Sequence, residues 1–148
     1  GNSECELTTL WTSISFDQGE SGMPFVKAAR KALQSLDSQS SNYAILTFLI
    51  DNAVGRSNAK TWNAIKQHLL DRGLKANKNQ FQHNLLSESR SWQSDVFIAS
   101  SRQGYFIIRD RDDAAAMVDW YNARIQAEET HRERLGQHIN KHWPELGN

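Results

Sequence analysis

Apolar and polar residues follow two different periods along this chain, and the changes of period mark its elements. Residues 43–53 (Tyr-Ala-Ile-Leu-Thr-Phe-Leu-Ile-Asp-Asn-Ala) are apolar on almost every side and stop before Gly55, which predicts a buried helix. Ser57 or Asn58 can cap a second helix running to about Asp71, with Trp62, Ile65, Leu69 and Leu70 on one face and Gly73 as its stop. Asn77-x-x-Gln80 reads as the start of a third, in which the Asn side chain accepts from the backbone N–H of Gln80. That helix is expected to reach about Arg90, with Phe81 and Leu85 inward and Asn79, His83, Ser87 and Arg90 clustered on the other side.

The period then drops to two. Residues 95–100 and 105–109 are strand-like, joined by Ser101-Arg102-Gln103-Gly104 with Gly104 placed for a positive φ, so a β-hairpin with an arginine at its tip is expected. From Asp112 the pattern is helical again, with a broken apolar stripe of Val118, Tyr121, Ile125, Leu135 and Ile139, until Pro144 ends it. Upstream, residues 7–16 read as a strand or extended arm, Pro24 opens a helix over residues 25–36, and the polar run 37–42 has the composition of a linker. The expected fold is α+β and mainly helical: a three-helix core, a β-hairpin and a long C-terminal helix. The expected division is an N-terminal arm and helix over residues 1–42, then one domain over 43–148.

Charge changes this picture. The chain has 17 Lys and Arg and 17 Asp and Glu, a formal net charge of zero. Residues 55–109 nevertheless carry nine basic side chains against three acidic ones, while both flanks are acidic. Such a block keeps its own field, because screening at physiological salt acts over about 8–10 Å.

Composition narrows the class. A hydrophobic share of 39% and a charged share of 23% suit a globular chain of roughly one domain. No apolar run approaches the roughly 18 residues of a membrane span, and the N-terminus lacks the layout of a signal peptide. Cys5 is the only cysteine, which rules out an intrachain disulfide and a cysteine-based zinc site. A cytoplasmic protein is expected, and the first residue, Gly1, suggests that the parent protein is longer.

A helix of Asn, Gln, His and Arg inside a basic block has the side chains that hydrogen-bond base edges in the DNA major groove, which is about 12 Å wide and admits one helix. Candidate base-contacting residues are Asn77, Asn79, Gln80, Gln82, His83, Ser87 and Arg90. Lys60, Lys66, Lys75 and Lys78 are candidates for phosphate contacts, and Ser101, Arg102 and Gln103 for a hairpin tip that enters a minor groove or meets a phosphate. The expected partner is double-stranded DNA. A role in protein contact, with the helix 112–142 pairing with itself or another chain, is the competing reading.

The run Asn77-Lys78-Asn79-Gln80-Phe81-Gln82-His83-Asn84-Leu85-Leu86, followed by residues 96–108 and an acid-started helix, resembles the winged-helix modules of phage and restriction-modification proteins. The resemblance covers roughly residues 43–135. It implies a winged helix in which residues 77–90 read the major groove, residues 100–103 form the wing, and the long helix packs or pairs. By implication the chain is a phage-type regulator or the DNA-recognition part of a restriction-type enzyme.

Catalytic constellations are not expected here. Asp110, Asp112 and Asp113 with Glu88 and Asp95 lack the acid pair followed by x-Lys of metal-dependent nucleases, and Asp112 and Asp113 read more simply as helix-start charges. His138 and His142 have zinc-ligand spacing but no convincing third ligand nearby. No Gly-rich phosphate loop or nucleophile elbow occurs, so no cofactor, metal or enzymatic activity is expected of this segment.

Overall fold

The computed structural model describes residues 22–90 and 96–146. The strand or arm expected over residues 7–16, and Asp95, lie outside the described residues. The architecture is mainly helical α+β: helices α1 (Pro24–Leu33), α2 (Ser41–Asn52) and α3 (Trp62–Asp71), a composite helix α4, an antiparallel hairpin of β1 (Ile98–Ser101) and β2 (Gly104–Ile107), and the long helix α5 (Arg111–His142). α4 is α-helical over Lys78–Gln80, π-helical over Phe81–Leu86 and α-helical again over Ser87–Ser89. The chain divides into two compact units at Asp113 and Ala114.

In the first unit α2 is the central helix. Ser40 caps it, its hydroxyl accepting from Tyr43 N at 3.1 Å, and Ala44, Ile45, Leu46, Leu49 and Ile50 are all buried. The core they form includes Val26 and Ala29 of α1, Ile65 and Leu69 of α3, Phe81, Leu85 and Leu86 of α4, and Ile98 and Ile107 of the hairpin. α1 ends at Leu33, short of the expected residue 36. The polar run after it, read as a linker from composition, holds a hydrogen-bonded turn: Asp37 Oδ1 accepts from Gln39 N at 2.9 Å and Ser40 Oγ donates to Asp37 O at 2.7 Å.

α3 starts later than expected. Its cap is Thr61, whose Oγ1 accepts from Ala64 N at 3.2 Å, whereas Ser57 and Asn58 lie in a 3-10 turn, Arg56–Asn58. The reason is a non-local pairing that the sequence pattern does not display. Lys60 N donates to Tyr105 O at 2.9 Å and Tyr105 N to Lys60 O at 2.7 Å, which holds Lys60 extended. At its other end α3 closes as sequence predicts, with Gly73 at a φ of 72°. Gly73 N donates to Leu70 O at 3.0 Å and Leu74 N to Leu69 O at 2.9 Å, the paired bonds of a Schellman cap.

The hairpin pairs Ile98 with Ile107 and Ser101 with Gly104. Its second strand is covered on the far edge as well, because Ile107 N donates to Ala53 O at 2.8 Å and Gly55 N to Ile107 O at 2.9 Å. The segment between α2 and α3 therefore acts as a broken third strand beside β2, which relieves the pairing liability of an open edge. Gly104 adopts the expected positive φ, 129°, and a Cβ there would collide with the Lys60 carbonyl.

The start of α5 is held by two aspartates. Asp110 Oδ1 accepts from Asp113 N at 3.0 Å, and this backbone hydrogen bond is the main cause holding the Asp110 carboxyl below its ordinary pKa. Asp113 stands in the first turn of α5, as expected of a helix-start charge, and is 8% exposed. Its carboxylate accepts from Arg109 N at 2.9 Å and Arg56 N at 3.3 Å, so it ties the helix start to the 3-10 turn. Among the described residues no helix is long and apolar enough to cross a membrane.

Candidate nucleic-acid interface

α4 begins as its sequence predicts: Asn77 Oδ1 accepts from Gln80 N at 3.0 Å. Beyond Gln80 it departs from an ordinary helix. Burial repeats every four residues, with Phe81, Leu85 and Ser89 buried in one row and Gln82, Leu86 and Arg90 partly or fully covered in the next. A π segment carries more residues per turn than the 3.6 of an α-helix, so rows four apart run nearly parallel to the axis instead of slewing round it. Two straight exposed rows result, Asn79–His83–Ser87 and Gln80–Asn84–Glu88.

An α-helical projection does not bring out the second of these rows. Asn84 and Glu88 belong to the exposed face, although 100° per residue turns them toward the side of Phe81 and Leu85. The available signal was the strict spacing of four between Phe81, Leu85 and the small Ser89. Among the described residues the side chains of Asn79, His83 and Asn84 make no hydrogen bond or ion pair, so their donors and acceptors are available to a ligand.

The buried side of α4 is fixed by aromatic packing. The Phe81 ring stacks on Trp62 of α3 at 5.4 Å between centroids and meets Tyr105 of β2 edge-on at 4.9 Å. A single side chain thereby joins α3, α4 and the hairpin, in geometries aromatic pairs prefer. Ser89 adds a polar link, donating to Leu86 O at 2.7 Å and accepting from Ile98 N at 3.1 Å.

Arg90 departs from its expected place on the reading face. Its Nε donates to Ile98 O at 3.0 Å, an Nη donates to Ser100 Oγ at 2.9 Å, and the guanidinium lies over the Phe97 ring at 5.8 Å. The residue ends α4 and braces the hairpin against it. No signal within the helix could have shown this, because the partners lie eight and ten residues further along.

The remaining candidates fall in two groups. Lys66 on α3 and Lys75 and Lys78 around the turn into α4 are exposed, and Ser41 Oγ donates to Lys75 O at 3.3 Å, which ties that turn to the start of α2. Lys60 is half-buried and contributes its backbone to β2. At the hairpin tip Arg102 and Gln103 are exposed, while Ser101 Oγ accepts from Gln103 N at 3.2 Å and shapes the turn. Gln82 is half-buried on the flank of α4.

Among the described residues no group of three or more His, Cys, Asp or Glu could hold a metal ion. Chemically the face offers amides, which can pair with adenine, an imidazole and a hydroxyl, with Glu88 able to accept from the amino group of cytosine. No protein-family model, curated protein or solved structure matches this chain.

Proposed function

We propose that this chain is a sequence-reading double-stranded DNA-binding module of winged-helix type, with α4 as the reading helix and the hairpin as the wing. The observation that carries the reading is the face of α4. It is a pair of straight rows of short polar side chains with unspent hydrogen-bonding groups, on a helix locked from behind by Phe81 and braced by Arg90 against an arginine-tipped hairpin. A solvated surface helix needs no such bracing, whereas a reader of base edges must be held at a fixed angle to its phosphate contacts. Lys66, Lys75 and Lys78 supply exposed cations for those contacts, and Arg102 a cation at the wing tip. The half-strand at Lys60, which pairs with β2 between α2 and α3, is a further feature in keeping with a winged helix.

The test is selection of bound duplexes from a random pool, with and without base methylation, followed by affinity measurement. A preferred sequence is expected. Replacing Asn79, His83 and Asn84 together with Ala is expected to lower affinity for it about 100-fold or more, at about 1–3 kcal/mol of discrimination per base contact, while leaving binding to random duplex nearly unchanged. Absence of duplex binding at low salt would refute the proposal.

A further inference from the structure

The second unit carries an apolar stripe that the DNA-binding reading does not use. α5 is one uninterrupted helix, Arg111–His142, and on it Val118, Ile125 and Leu135 are 58%, 54% and 58% exposed. With Tyr121 and Ile139 these residues fall at alternating spacings of three and four, the seam of a heptad repeat. The same spacing places Glu128 and Arg132 on the seam between Ile125 and Leu135. Two charged residues in the middle of an apolar seam dictate what can cover it.

We propose that α5 pairs with α5 of a second copy of this chain as an antiparallel two-stranded coiled coil whose two-fold axis passes Thr130. In that register each seam residue meets the one equally far on the other side of Thr130. Ile125 faces Leu135, Tyr121 faces Ile139, Val118 faces His142, and Glu128 faces Arg132 of the other copy. The two central layers are then opposite-charge pairs. A parallel in-register pair would set Glu128 against Glu128 and Arg132 against Arg132, two repulsive layers at the centre of the seam.

The charge pattern therefore selects both the occupant and its direction. A partner with a uniformly apolar groove would strand both charges, and a second antiparallel copy satisfies them reciprocally. The seam from residue 118 to 142 is about 36 Å long at the helical rise. In the free chain Glu128 Oε1 lies 3.5 Å from His131 Nδ1, so its carboxylate is already near the seam edge. Glu129 comes to lie beside its own copy across the axis, a repulsion between solvent-facing groups that salt screens.

The test uses the whole 148-residue chain. Sedimentation equilibrium is expected to show a concentration-dependent dimer. Glu128→Arg and Arg132→Glu are each expected to weaken it about tenfold or more, because each puts like charges opposite one another. Mixing the two variants in equal amounts, or combining both changes in one chain, restores the opposite-charge layers and is expected to restore dimerisation, which separates lost pairing from lost folding. Direction is read in a Cys5→Ser background. Ile125→Cys mixed with Leu135→Cys is expected to give a disulfide-linked heterodimer on oxidation, with neither variant linking to itself. A chain that stays monomeric throughout, single variants that dimerise as tightly as the parent, or self-linking of Ile125→Cys would each overturn the proposal.

Discussion

Gly104 is the residue on which the hairpin's attachment turns. Two requirements meet there: a φ of 129°, which L side chains rarely adopt, and the close approach of Lys60 O, which leaves no room for a Cβ. Since Lys60 and Tyr105 exchange both of their backbone hydrogen bonds next to it, the carbonyl cannot retreat without breaking that bridge. Gly104→Ala is expected to destabilise the chain by about 2–3 kcal/mol, measured as a lower urea midpoint. The turn glycine was legible as such, since Ser-Arg-Gln-Gly between two β-rich runs announces a hairpin. The crowding was not, because Lys60 is 44 residues distant in sequence and nothing local marks it as a strand partner.

Between elements, the decisive joint is that of α4 with the hairpin. Arg90 makes it with two hydrogen bonds and a ring contact, and Ser89 adds one by accepting from Ile98 N. Arg90→Ala is expected to cost about 1–3 kcal/mol of stability, the range for losing charge-assisted hydrogen bonds and leaving acceptors half-buried. Its DNA phenotype should differ in kind from that of the Asn79, His83 and Asn84 replacement: weaker binding to every duplex, with the preferred sequence unchanged. A shifted preference in a repeated selection would return Arg90 to the reading face.

The same joint shows where sequence reading stops. Caps at Asn77 and the stop at Gly73 are local chemistry and stood in the sequence as they stand in the fold. Residues 56–60 deceived because Ser57 and Asn58 are good caps, and only the pairing with β2, formed from far along the chain, delays α3 to Thr61. The exposed face of α4 was half legible: projecting at a fixed 100° per residue found Asn79, His83 and Ser87 but placed Arg90 with them and passed over Asn84.

At the scale of the molecule, a formal charge of zero hides a basic middle between acidic flanks. If α4 and the hairpin engage a duplex as proposed, binding must weaken with salt, the logarithm of affinity falling by about 0.9 per phosphate neutralised for each unit of log salt. Lys75→Ala and Lys78→Ala are each expected to lower that slope by about one, with no change in preferred sequence, as titrations at several salt concentrations would show. A slope unaffected by both would move the phosphate contacts elsewhere.

The π segment of α4 also solves a problem of gearing. In an ordinary α-helix, positions four apart drift by about 40°, so Ser89 would sit about 80° round from Phe81. With the wider turn, Phe81, Leu85 and Ser89 stay in one line, and the aromatic centre and the bonds to β1 are served from the same side of the helix. The surplus backbone in that turn works as a washer, taking up the mismatch between a pitch of 3.6 and a spacing of four. What the run from residue 81 to 86 contributes is thus partly a matter of count, and an insertion or deletion there could retune the angle between helix and hairpin without altering any side chain that touches either.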